Sequence, residues 1–181
     1  MTPPEELATE RLLLRRVTPA DVDVVQVVAS GALEHLRPWM PWAGESYPRE
    51  KAAEFVAFAH TNWQSGQAYT YLLLREGRLI GIAGLERRLG PDALEIGYWL
   101  HQDETGAGYA TEAAKALAEA AFSLDWVKYV QIWHDIANEP SGAVPRRLGF
   151  REVERREPPR GPLSPGNKGV DVVWQLDRPE S

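Results

Sequence analysis

The sequence predicts a mixed α/β (α+β) domain, in which one sheet of mixed strand direction carries helices on both faces. Three observations support this. The segments read in the order β-α-α-β-β-β-α-β-α-β-β. Turn residues at Glu76-Gly77 and Gly90-Pro91-Asp92 join three consecutive strands as hairpins. Helical segments then separate later strands, which permits crossover connections. A chain of 181 residues fits one domain spanning 1–181, with no repeat or internal linker.

The elements follow in order. Leu12, Leu13 and Leu14 form a short apolar strand. Thr18 reads as a helix N-cap, Pro19 as the first helical residue and Asp21 as a first-turn acid. Val22, Val25, Val28 and Ala29 give that helix an apolar face, and Gly31 is expected to stop it. A Trp/Pro-rich loop, Leu36-Arg37-Pro38-Trp39-Met40-Pro41-Trp42, comes next. A second helix over 48–65 places Ala52, Phe55, Val56, Ala59 and Trp63 on one stripe, with Gly66 beyond it. Strands are expected at 69–75, 78–85 and 93–100. An Ala-rich helix over 108–124 has a face of Ala110, Ala113, Ala114, Leu117, Ala121 and Leu124, small enough to lie close to a sheet. Strand 127–134, a short helix 141–148 and strands 150–154 and 170–176 complete the chain, the last two joined by a long loop over 156–168.

Composition narrows the function. Twenty Lys and Arg against 26 Asp and Glu leave a formal charge of −6, which argues against a nucleic-acid partner and suits an amine or a basic peptide. Absence of cysteine removes disulfides, thiolate zinc sites and a cysteine nucleophile. The four histidines, His35, His60, His101 and His134, lack metal-ligand spacing, so no metal is expected. The acidic start does not read as a signal peptide, and no apolar run approaches the ~20 residues of a membrane span. A cytoplasmic protein with no membrane partner is the expectation.

The most informative stretch is Glu95-Ile96-Gly97-Tyr98-Trp99-Leu100, a loop, then Gly106-Ala107-Gly108-Tyr109-Ala110-Thr111-Glu112-Ala113. Strand, glycine turn and helix in that order make an anion site, because glycines let backbone N–H groups approach a ligand at a helix N-terminus. No Gly-Lys-Ser/Thr ends the turn, which excludes a Walker loop. Thr111 stands where a dinucleotide fingerprint needs Gly or Ala. The same glycines also suit a turn needed only for tight packing.

Five pieces together carry a resemblance: residues 7–15 (Leu-Ala-Thr-Glu-Arg-Leu-Leu-Leu-Arg) with Asp21; Leu36 to Trp42; Glu95 to Leu100; Gly106 to Ala113; and Asn138-Glu139-Pro140-Ser141 with Arg147-Leu148-Gly149-Phe150. On these the chain resembles the GNAT N-acetyltransferase superfamily, RimJ/RimL-type branch, over nearly its whole length. The resemblance implies a mixed, mostly antiparallel central sheet of about six to seven strands with splayed central strands and helices on both faces. It implies acetyl transfer from acetyl-CoA to a primary amine by direct attack. The acceptor would be a protein N-terminus or a small-molecule amine.

By the same resemblance Thr105, Gly106, Ala107, Gly108, Tyr109, Ala110 and Thr111 would hold the CoA pyrophosphate through backbone N–H groups. The strand ending at Leu100-His101-Gln102 would pair with the pantetheine amides, as a peptide adds to an open strand edge. The family usually places Arg or Gln at Thr105 and a basic residue at Ala107, so weakened CoA binding is expected here. Asn138 would bond the pantetheine region, and Ser141 would reach the sulfur. Trp39, Met40 and Trp42 match the branch's acceptor-side region.

Glu95 is the candidate base, since a mid-strand acid is costly to bury unless functional or paired. Its alternative is an ion pair with an arginine on an exposed strand face. Ser141 is the candidate acid in place of the Tyr that many relatives carry where Pro145 stands, or else a helix cap. Pro145 should also kink its helix. The Trp39–Trp42 loop is an acceptor wall or a lid completing the core. Tyr98 reads as core, and His134 as a second proton carrier. The function alternative is an acyl-CoA sensor without turnover, whose acceptor cavity that loop would plug. A homodimer is possible.

Overall fold

The computed structural model describes residues 1–180. Eight strands form one sheet: β1 Glu6–Ala8, β2 Leu13–Arg16, β3 Ala68–Arg75, β4 Arg78–Glu86, β5 Ala93–Leu100, β6 Tyr129–Asp135, β7 Arg151–Arg156 and β8 Asp171–Asp177. Their spatial order is β1-β2-β3-β4-β5-β6-β8-β7. Every pairing is antiparallel except β5 with β6. One strand more than expected is present because Leu7 pairs with Leu14 in a short edge hairpin that three residues of apolar pattern cannot announce.

The helices are α1 Val22–Leu36, α2 Arg49–Ser65, α3 Tyr109–Phe122 and α4 Glu139–Arg147. They divide between the two faces as strand alternation requires. Leu72 and Ile82 face a core with Val25, Ala29, Leu36, Val56 and Ala59 of α1 and α2. Their neighbours Tyr71, Leu73, Ala83 and Leu85 face α3, whose Ala113, Ala114, Leu117 and Ala121 are buried. The small side chains of α3 bring its axis close to the sheet.

Two expectations about α1 need correction. Gly31 does not end it; the helix runs on to Leu36. A mid-helix glycine costs about 1 kcal/mol against alanine, and here it makes room for a neighbour. A Cβ at Gly31 would stand 3.2 Å from His101 Nε2. Thr18-Pro19-Ala20-Asp21 does open the segment, but as a 3₁₀ turn over Pro19–Asp21. Asp21 is more than a first-turn acid. Its carboxylate accepts from the Thr18 N–H at 2.7 Å and from Arg15 at 2.8 and 3.1 Å, which holds it below its ordinary pKa.

The feature that positions the site is the β5–β6 pair. Only Ala93↔Tyr129, Leu94↔Val130 and Glu95↔Gln131 are in register. Beyond these, β5 runs on to Leu100 and β6 to Asp135 without pairing to each other, each held by its other neighbour, β4 or β8. The centre of the sheet therefore opens as a wedge, as the resemblance implied.

Candidate active site

The wedge opens into a cavity of about 1060 Å³. Glu95, Gly97, Tyr98, Trp99, Trp133, Asn138 and Ser141 line it, and the 36–47 segment adds Trp39, Met40, Trp42 and Tyr47. The structure thus brings together the candidate base, the candidate acid and the acceptor-side aromatics. That loop lines the cavity and does not plug it. Trp42 both lines the cavity and packs at 5.6 Å on Trp99 and 5.5 Å on Tyr47. Ligand pockets typically measure about 300–1000 Å³, so the space suits a substrate.

Glu95 is 3% exposed. Arg88 grips its Oε2 through two nitrogens, and Arg160 meets Oε1 at 2.8 Å. The expected alternative was right about an arginine partner and wrong about exposure: the pair is buried at the carboxylate, and there are two arginines. Arg160 also lies 3.9 Å over the Trp133 ring. Sequence reasoning missed Arg88, Arg160 and Trp133, because they come from three separate segments that only the fold brings together.

On α4, Asn138 and not Ser141 is the N-cap, with its Oδ1 accepting from the Ser141 N–H at 3.4 Å. The capping reading of Ser141 therefore falls; its hydroxyl stands inside the first turn and lines the cavity. Pro145 lies within α4. Having no N–H, it leaves the Ser141 carbonyl without a helical donor. The Tyr98 hydroxyl donates to that carbonyl at 2.9 Å. Tyr98 is thus a cavity residue as well as a neighbour of the core, and burial pushes its phenol up to about 12.

His134 does not serve as a free proton carrier. The Trp174 indole N–H donates to its Nε2 at 2.9 Å, which makes Nε2 the acceptor, so Nδ1 carries the proton and donates to the Asp135 carbonyl at 2.8 Å. Both nitrogens are spent. Burial holds the imidazole below its ordinary pKa.

The anion turn lies beyond the end of β5, outside the cavity lining. Gly106 and Gly108 take φ of 79° and 85°, a conformation that favours glycine. Gly108 is the N-cap of α3 and offers no side-chain cap. The backbone N–H groups that open α3 are therefore available to an anion. The Thr105 hydroxyl donates to the Gln102 carbonyl at 2.9 Å. Tyr109 sends its ring into the core. Thr111 has a buried hydroxyl without a partner. β5 ends at Leu100 as expected, the His101 N–H still donates to the Ile80 carbonyl of β4 at 2.8 Å, and a 3₁₀ turn starts at Gln102. The Gln102 side chain turns to α1 and donates to the Gly31 carbonyl at 2.7 Å. His101 lies against the same glycine.

The surface thus combines a glycine turn with free backbone N–H groups, a β5 edge not paired to β6, and a wedge between the two strands, features that could hold an acyl-CoA. Among the described residues, no group of three or more His, Asp or Glu side chains is placed to hold a metal ion. Among the same residues, no helix is long and apolar enough to cross a membrane.

Comparison with known proteins gives the same picture. The Acetyltransferase (GNAT) domain family matches residues 11–151. A Bacillus subtilis (strain 168) protein, YdaF, named as a candidate ribosomal N-acetyltransferase, is 28% identical over 151 residues, 79% of each chain. The structure of RimL, a ribosomal L7/L12 alpha-N-protein acetyltransferase in complex with coenzyme A, superposes with a TM-score of 0.87 at 20% identity, covering 96% of this chain and 98% of that one. Mycobacterium smegmatis RimJ, in complex with a CoA disulfide, gives 0.86 at 20% identity over 98% and 90% of the two chains. With a family match across most of its length and the fold shared with these neighbours, the chain belongs to the GNAT acetyltransferase family.

Proposed function

We propose that this acetyltransferase moves an acetyl group from acetyl-CoA to the α-amine of a protein N-terminus, by direct attack of the amine on the thioester inside the β5–β6 wedge. The observation that carries the reading is the wedge itself, because the unpaired β5 edge leads straight into a cavity holding Glu95, Asn138 and Ser141. The names of two similar proteins, a candidate ribosomal N-acetyltransferase and a ribosomal L7/L12 alpha-N-protein acetyltransferase, support the acceptor class.

The roles follow from position. Backbone N–H groups of the Thr105–Ala110 turn and Thr111 hold the diphosphate. The free edge of β5 from Gly97 to Leu100 pairs with the amide arm, and Asn138 flanks it. Ser141 protonates or stabilises the departing thiolate. Trp39, Met40 and Trp42 wall the acceptor, with aromatic faces that favour a cation.

Glu95 takes the proton of the attacking amine once the acceptor displaces Arg160 from Oε1. The attacking amine must be neutral. An N-terminal α-amine ionises near about 7.7–8.0 and is partly neutral near pH 7, whereas a lysine amine ionises near about 10.4 and stays almost wholly charged. Acetylation of a peptide bearing one free α-amine and one lysine, read by fragment mass, tests this. Modification of the α-amine alone is expected; modification chiefly at lysine contradicts it.

A further inference from the structure

The turn assigned above to the diphosphate, Thr105-Gly106-Ala107-Gly108-Tyr109-Ala110, has no basic side chain of its own. The fold brings one from elsewhere. Arg11, in the tight turn between β1 and β2, reaches across to the start of α3. Its Nη1 donates to the Ala107 carbonyl at 2.8 Å. Its Nε donates to Glu112 Oε1 at 2.7 Å, and its backbone N–H to Glu112 Oε2 at 2.9 Å. The Thr9 hydroxyl adds a bond to the same oxygen at 2.5 Å. The guanidinium lies 4.4 Å over the Tyr109 ring, and its Nη2 would stand 3.4 Å from a Cβ at Gly108. One side chain therefore touches three consecutive residues, 107 to 109, and the carboxylate one turn further on.

The charges give this cluster a purpose. Glu112 sits in the first turn of α3, where a carboxylate favours the helix dipole but opposes a second anion at the same end. It is half-buried and held in its ionised form by Thr9 and Arg11. A diphosphate docking on this turn would meet that negative charge unless a cation compensates it. The other arginines nearby are engaged: Arg78 and Arg75 pair with Glu104 at 2.6 and 3.7 Å. Among the described residues, Arg11 is the basic side chain that hydrogen-bonds the turn.

We infer that Arg11 is a positioning residue for coenzyme A: it fixes the Ala107–Tyr109 backbone and neutralises Glu112, so that the turn accepts a diphosphate despite lacking a basic residue. The inference rests on the turn being the diphosphate site. It requires no contact between Arg11 and the ligand, and it locates the contribution in the diphosphate half of the donor alone.

The test compares two acetyl donors, acetyl-CoA and acetyl-pantetheine, which lacks the diphosphate. In Arg11→Ala, kcat/KM with acetyl-CoA should fall about tenfold or more, while kcat/KM with acetyl-pantetheine stays near its original value. Arg11→Lys, which keeps the charge, should recover part of the loss. Glu112→Gln added to Arg11→Ala should recover most of it, because the uncompensated charge is gone. Equal losses with both donors would show a merely structural role and overturn the inference. So would no recovery in the double variant. Calorimetry on the unaltered protein separates this from the underlying reading: no acetyl-CoA binding there overturns both, whereas binding that Arg11→Ala leaves unchanged overturns this inference alone. Should Arg11→Ala fold poorly, Arg11→Gln and Arg11→Lys provide the same comparison.

Discussion

The Tyr98 hydroxyl donates to the Ser141 carbonyl at 2.9 Å, and that carbonyl is the one Pro145 leaves without a donor. A strand on one side of the wedge is thereby tied to the helix on the other. Ser141 Oγ lies 3.5 Å from the same phenol, so the bond also fixes the candidate acid. The proline that looked like a helix defect in the sequence is what makes the tie possible.

Removing the hydroxyl should be felt in both stability and turnover. Tyr98→Phe leaves a shielded carbonyl unpaired, at a cost of about 1–3 kcal/mol. Turnover should fall more than donor affinity. Pro145→Ala restores an N–H to Ser141 and should recover part of the lost stability in the Tyr98→Phe background. A double-variant cycle by chemical denaturation measures the coupling. Strict additivity contradicts the account.

Glu95→Gln tests the base. The variant should bind acetyl-CoA as before and lose about 10²-fold or more in kcat with an α-amine acceptor. Some stability is lost as well, because Arg88 and Arg160 then face a neutral amide. Both guanidiniums retain solvent contact, so the loss should stay well short of a fully buried pair. A folded variant with unchanged kcat removes Glu95 from the chemistry.

Stability should decline on mild acidification through His134. Its folded pKa lies below that of the free imidazole, about 6.5. The unfolded chain therefore binds a proton before the folded one does. The neutral ring's contribution is complete above about 6.5 and is lost as pH falls from there toward the folded value. Protonation would set a donor against the Trp174 indole N–H and a charge beside Arg146. Melting at pH 7.5 and 5.5 should show a fall that His134→Gln reduces. An equal fall in both proteins assigns the effect to other groups.

Arg178 should be a large stability determinant at an unremarkable position near the C-terminus. Its three guanidinium nitrogens donate to the carbonyls of Phe122, Leu124 and Val127 at 2.8, 2.6 and 2.8 Å. The Phe122 carbonyl belongs to the last turn of α3, and those of Leu124 and Val127 to the connection that leads into β6. Arg178→Ala should cost about 2 kcal/mol in denaturant melts, with Arg178→Lys recovering only part, since one ammonium cannot serve three diverging acceptors. A neutral Arg178→Ala contradicts this.

Local patterns were legible where one segment decides them. The stripe of α2 and its Gly66 stop, β5 from Ala93 to Leu100, the small-residue face of α3 and the turn glycines all follow from adjacent residues. What escaped depends on segments far apart. Gly31 reads as a stop until His101 is seen against it. His134 reads as a proton carrier until Trp174, 40 residues on, occupies its free nitrogen. Glu95 announces itself as a costly acid, but its partners Arg88 and Arg160 are brought in by a hairpin and a long loop. Arg11 resembles a surface charge until the fold lays it on Ala107. The sequence names the chemistry-bearing residues; their partners are a property of topology.

The most direct test of the account is calorimetric titration with acetyl-CoA, with desulfo-CoA and ATP alongside, followed by incubation of the loaded protein with an α-amine peptide. The account predicts binding of acetyl-CoA and desulfo-CoA with a Kd on the order of micromolar, about −8 kcal/mol, with ATP ignored and one acetyl group added to the peptide. No binding at millimolar acetyl-CoA would contradict it, and would mean that a GNAT fold with an open wedge had been put to a use other than acetyl transfer.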